Sequence, residues 1–130
     1  MILIDADLHA IESGIECFNN GRYWEAHEEW EHAWRKLQGA EKAWLQSYIL
    51  AAGAFFLLQK GRFSPAQRLA QLYFRRREEG CESWLSQRLR CQRLDEVMGQ
   101  ISGAVEANDQ LRFSAILASA RTTMIAFDSF

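Results

Sequence analysis

Apolar positions recur at three- and four-residue steps along most of the chain, and that spacing predicts about six helices with no strand alternation between them. Leu8, Ile11, Ile15 and Phe18 mark the first helix, capped by Asp5 or Asp7 and stopped by Asn19, Asn20 and Gly21. Gly21 to Leu37 carries the second, which ends before Gly39. The third, over about 41–60, has no charged or amide side chain from Tyr48 to Leu58. No face of it prefers water, so it is predicted to be surrounded on all sides. Ala51, Ala52, Gly53 and Ala54 add small side chains that let neighbouring helices come close. Ser64, Pro65 and Gln67 read as a capping box opening a fourth helix to about Glu79, with Leu69, Leu72, Tyr73 and the stem of Arg76 inward. Residues 80–92 read as a connection with a helical turn around Trp84 to Leu89. Leu94, Val97, Met98, Ile101, Ala104 and Val105 give a fifth helix. Asn108 or Asp109 caps a sixth along Phe113, Ile116, Leu117, Ala120, Met124 and Phe127. The expected architecture is all-α, one domain over residues 1–130.

A self-similarity refines this picture. Gly21-Arg22-Tyr23-Trp24-Glu25-Ala26 aligns with Gly61-Arg62-Phe63-Ser64-Pro65-Ala66, each between two helices. A glycine, an aromatic two residues on and an alanine three further resembles the turn of the tetratricopeptide repeat. The offset of 40 residues exceeds that repeat's period of about 34, so antiparallel hairpins around the buried third helix are expected, not a regular array.

Composition narrows the class. A chain of 130 residues with one proline and eight glycines suits a single packed core and leaves little material for a disordered linker. The apolar stretch from Trp44 to Leu58 is interrupted by Gln46 and Ser47 and falls short of the ~20 residues a membrane span needs. Cys17, Cys81 and Cys91 are odd in number and lack a CxxC pairing, which disfavours a disulfide framework and a zinc site. With no secretory signal at the first residues, a cytoplasmic location is expected. The net charge of −2 hides a division: four Lys/Arg face nine Asp/Glu in residues 1–59, nine face three in 60–93, and two face five in 94–130.

The unusual chemistry is concentrated in the second helix. On its helical wheel Trp24, His27, Glu28, Glu31 and Trp34 fall on one broad face. His27 and Glu31 stand one turn apart, a spacing at which a carboxylate and an imidazole meet a single ligand atom. Glu29 to His32 also reads as Glu-x-x-His, the unit of di-iron bundles, but the third helix supplies no partner glutamates. The zinc-protease pattern fails as well, because Glu31 stands where the second histidine belongs. His9 has no motif around it. A plainer account makes the tryptophans core and rim groups, His27 a histidine bonded to a carboxylate, and Glu25, Glu28 and Glu29 a solvated face. Arg68, Arg75, Arg76 and Arg77 form the densest basic cluster. Nucleic-acid binding through it requires all four on one open surface, and no recognised motif accompanies them.

Tyr23-Trp24-Glu25-Ala26-His27-Glu28-Glu29-Trp30-Glu31 and Trp34, followed by Trp44-Leu45-Gln46 and the small-residue helix, resemble the bacterial family catalogued as domain of unknown function 309. The resemblance covers about 18–69 and implies a small all-helical cytoplasmic protein without implying an activity. It singles out Glu25, His27, Glu28, Glu31 and Gln46 as shared polar positions. It also implies a glutamine and a histidine further along the third helix, where this chain has Leu50 and Leu57. The expected function is a binding or scaffold module, not an enzyme. Glu25, His27, Glu28, Glu31, Trp34 and Gln46 then line a groove for a peptide or small polar ligand, with no metal or cofactor. A small metal-dependent or acid/base hydrolase and a nucleic-acid binder are the alternatives. A scaffold would expose an apolar patch, such as Trp84, Phe127 and Phe130, to a homodimer or another protein.

Overall fold

Two helical hairpins, closed by the same turn, form the body of the molecule. The computed structural model describes residues 5–91, 93–104 and 110–127, with side-chain surroundings for all of these except 110–113. Helix α1 (Asp5–Asn19) turns into α2 (Tyr23–Trp34), and α3 (Gly39–Gln59) into α4 (Phe63–Gly80). At the first turn Gly21 N–H donates to Phe18 O at 3.0 Å and Arg22 N–H to Cys17 O at 2.8 Å; at the second, Gly61 donates to Leu58 at 3.0 Å and Arg62 to Leu57 at 2.9 Å. This double bond around a left-handed residue is the Schellman motif, and φ of 77° at Gly21 and 71° at Gly61 explains the glycines. Tyr23 and Phe63 are then buried, as are Ala26 and Ala66. The repeated segment of the sequence therefore specifies a repeated turn.

Helix α3 is central. It packs against α2, α4, α5 (Trp84–Arg88) and α7 (Gln110–Arg121), while α6 (Leu94–Ser102) lies on α4. An aromatic cluster joins the first three helices: Phe18 meets Tyr23, Trp30 and Phe55 with ring centroids 5.1, 5.9 and 5.4 Å apart. Trp30 is fully buried and its indole N–H donates to Ile11 O at 3.0 Å. A Cβ on Gly14 would lie 2.3 Å from that indole nitrogen, so a glycine inside α1 is what lets α2 approach.

Several expectations shift. Helix α4 begins two residues earlier than the capping box implied, with Arg62 as its N-cap and no side-chain cap bond. Gln67, released from that role, donates to Ser102 O and Ala104 O at 3.1 and 2.5 Å and ties α4 to the end of α6. Leu69 and Leu72 only flank the core; the buried stripe of α4 is Phe63, Ala66, Ala70, Tyr73, Arg77 and Gly80. The connection after α4 forms α5, a seventh helix among the described residues, and then strand β1 (Leu89–Arg90). Strand β2 (Ala126–Phe127) pairs with it antiparallel, Leu89 opposite Phe127. Two residues are too few to show alternation, which is why the sequence gives no sign of them. Met124, assigned to the buried stripe of the last helix, is 55% exposed because that helix stops at Arg121. Val105, Asn108, Asp109 and Phe130 lie outside the described residues, and the side chain of Phe113 does too. No helix among the described residues is long and apolar enough to cross a membrane.

Candidate functional site

Helices α2, α3 and α4 leave a cleft of about 370 Å³ between them. Trp24 and His27 form its α2 wall, Ile49, Leu50, Gly53, Phe56 and Leu57 its α3 side, and Arg62 and Leu69 the α4 side. Most of this lining is apolar because α3 is apolar on every face, and one of those faces is left uncovered here. Gly53 keeps the space open: a Cβ there would stand 3.1 Å from Leu69 Cδ1. Trp24, 47% exposed, stacks on His27 with centroids 5.2 Å apart and planes 16° from parallel. It also leans on Phe56 at 5.3 Å.

The imidazole is half tied down. His27 Nε2 lies 3.3 Å from Glu31 Oε1, and Glu31 Oε2 lies 3.5 Å from Arg35 Nη2. His27 Nδ1 is buried with no hydrogen-bond partner among the described residues. With Nε2–H donating to Glu31, Nδ1 is left as an acceptor. Glu31 is shared by His27 and Arg35, and the guanidinium balances its charge.

The other expected residues fall around this cleft unevenly. Glu25 and Glu28 are exposed and do not line it, as a solvated outer face requires. Trp34 lies under Lys42, whose Nζ is 4.3 Å from the ring, with its own Nε1 buried and unpartnered. Lys42 on Trp34 at one end and Phe56 on Trp24 at the other put Gln46 about level with Glu31, one turn before Leu50. No hydrogen bond joins Gln46 to His27 or Glu31. Leu50 and Leu57, where the resemblance implied glutamine and histidine, share the cleft with His27, so the polar groups it implied are replaced by apolar wall. Sequence reasoning missed Phe56 and Arg62; a helix apolar all round does not reveal which face stays uncovered.

The basic cluster is divided by the fold. Arg68 and Arg75 are exposed, Arg76 pairs with Glu79 at 2.7 Å, and Arg77 is buried at 8% exposure. The four arginines therefore do not share one open surface, which removes the condition for nucleic-acid binding. Arg77 is instead the centre of a knot. Its guanidinium lies 4.0, 4.6 and 4.9 Å from the ring centroids of Trp44, Tyr48 and Tyr73. It donates to Tyr73 Oη at 2.7 Å, Asp95 Oδ1 at 3.2 Å and Ser47 Oγ at 3.3 Å. Tyr73 in turn donates to Asp95, and Trp44 and Tyr48 both donate to Leu89 O at 3.0 Å. Burial pushes the Tyr48 hydroxyl up to about 12, against the opposing pull of Arg77. Burial likewise pushes up the Cys17 and Cys91 thiols, which keeps them protonated and poor nucleophiles.

Among the described residues no three His, Cys, Asp or Glu side chains converge as metal ligands. Trp84 and Phe127 are partly buried and pack against the core. Residues 11–69 match the family model Domain of unknown function (DUF309). Every described residue lining the cleft lies inside the matched segment, whereas the Arg77 knot draws Tyr73, Arg77, Leu89 and Asp95 from beyond it. No curated protein and no solved structure matches the chain.

Proposed function

We propose that the protein is a binding module whose cleft between α2, α3 and α4 takes one small ligand with a mainly apolar body. The observation that carries this reading is the cleft itself: a face of α3 lined by Ile49, Leu50, Phe56 and Leu57 stays uncovered beside Trp24, which is 47% exposed. At about 370 Å³ the space is near the small end of ligand pockets, so a compact molecule fits better than an extended peptide. The groove foreseen on the His27/Glu31 face is thus shifted towards Trp24 and made more apolar. A catalytic reading has less support, since the third polar group beside His27 and Glu31 is the solvent-exposed Arg35, outside the cleft lining.

A fragment screen by ¹⁵N-resolved NMR tests this. Small aryl and alkyl compounds should shift the Trp24 indole and the His27 ring together, and Leu57→Trp, which fills the space, should abolish the effect. Shifts scattered over the surface, or binding unchanged in the filled variant, would rule the cleft out.

A further inference from the structure

The lip of the cleft has a charge that its walls do not. Arg62 lines it, and Lys60 Nζ stands 5.4 Å from the ring of Phe56, another lining residue. Neither cation forms an ion pair with a described residue. No carboxylate lines the cleft, and Glu31 is already engaged by His27 and Arg35. Arg62 is also the N-cap of α4, so the positive end of an 18-residue helix points to the same lip.

These charges are held in place before any ligand arrives. Lys60 and Arg62 flank Gly61 in the hairpin turn, where Lys60 N–H donates to Phe56 O at 3.2 Å and Arg62 N–H to Leu57 O at 2.9 Å. Leu57 thus contributes its side chain to the cleft and its carbonyl to the turn that presents Arg62. A guanidinium beside an apolar pocket matches an oxygen anion on a hydrocarbon body, because its fork bonds both oxygens of a carboxylate.

Resting on the cleft reading above, we propose that the occupant is a free amphipathic carboxylate. Its short chain or single ring sits between Trp24, Leu50, Leu57 and Leu69, and its carboxylate meets Arg62 and Lys60. The size of the space favours such a molecule over the C-terminus of a peptide, which shares the same chemistry.

Calorimetric titration of the full chain with octanoate, with octanamide and with the tripeptide Ala-Ala-Leu tests the proposal. Octanoate should bind one to one and about tenfold more tightly than octanamide, the range expected of one charge-assisted pair. Arg62→Gln should remove most of that preference and Lys60→Gln part of it, leaving octanamide unaffected. Both residues are exposed, so folding is not at stake. Equal binding of octanoate and octanamide would overturn the anion inference while leaving the cleft reading standing. Tighter binding of the tripeptide would overturn the choice of a free acid. Failure of every ligand, with 4-phenylbutyrate and 4-phenylbutanamide included, would overturn both readings together.

Discussion

The Arg77 knot and the His27 cleft are built from the same materials, a nitrogen base between aromatic rings with a carboxylate in reach, and they end in opposite states. In the knot each guanidinium nitrogen has a partner: three rings, three hydroxyls and Asp95 close around Arg77. In the cleft one imidazole nitrogen is answered and the other is not, and the stacking tryptophan is half in solvent. The difference lies in what covers each. Helix α6 and the β1 carbonyl of Leu89 close over the knot, whereas no described segment lies across α2, α3 and α4 at the cleft. A satisfied polar cluster serves rigidity, and an incompletely satisfied one beside a cavity is where a ligand can gain energy.

The sharpest way to break this comparison is Arg77→Ala. It leaves the buried hydroxyls of Tyr73, Tyr48 and Ser47 without their common partner and, with Asp95 64% exposed, should lower stability by about 1.5–3 kcal/mol in urea unfolding. A loss below about 1 kcal/mol would mean that the knot is incidental. Next comes close packing. A Cβ on Gly80 would lie 2.5 Å from Trp44 N, a backbone atom that cannot swing aside, so Gly80→Ala should cost about 1–3 kcal/mol. On the cleft side Gly53→Ala meets only the end of Leu69, and the gain in helix propensity of about 1 kcal/mol should bring the net change near zero.

Alkali should separate the two regions as well. Burial raises Tyr48 to about 12 and raises Tyr73 too, above the value of about 10 that tyrosine has in an unfolded chain. The native state therefore keeps these protons where the unfolded state has lost them. Their contribution is intact below pH 10 and declines as pH rises through 10 towards 12. Urea midpoints should fall over that window, and tyrosinate absorbance of the native protein should lag behind that of the unfolded chain. Tyr48→Phe should flatten the decline. The smallest effect is expected from His27→Phe: its contact with Glu31 is partly exposed, so stability should change by less than about 1 kcal/mol in the same unfolding experiment.

Helix positions were legible in the sequence because period and punctuation agree there. The Gly21 and Gly61 turns, the enclosed third helix and the short turn at Trp84 all follow from local rules. Arg77 was not legible: its neighbours Arg75 and Arg76 suggest a solvated run, and the partners that draw it inward are 30 residues before and 18 after. Gln67 shows the same limit, since its spacing from Ser64 fits a cap and its actual bonds reach 35 and 37 residues along the chain. In the site, His27 and Glu31 were visible as an i,i+4 pair, and Trp34 as a neighbour. Arg62 was hidden in the turn motif, where only packing of α3 against α4 could bring it to the cleft.

Asn19 gives the molecule an order of assembly. Its amide brackets Ile125, donating to the carbonyl at 3.1 Å and accepting from the N–H at 2.8 Å across 106 residues. The two hairpins need only neighbours in sequence and can form fast, whereas this clasp must wait for the far end of the chain. Asn19→Ala should therefore quicken unfolding and leave the folding rate nearly unchanged, and during synthesis the first hairpin should remain unlatched until Ile125 has left the ribosome.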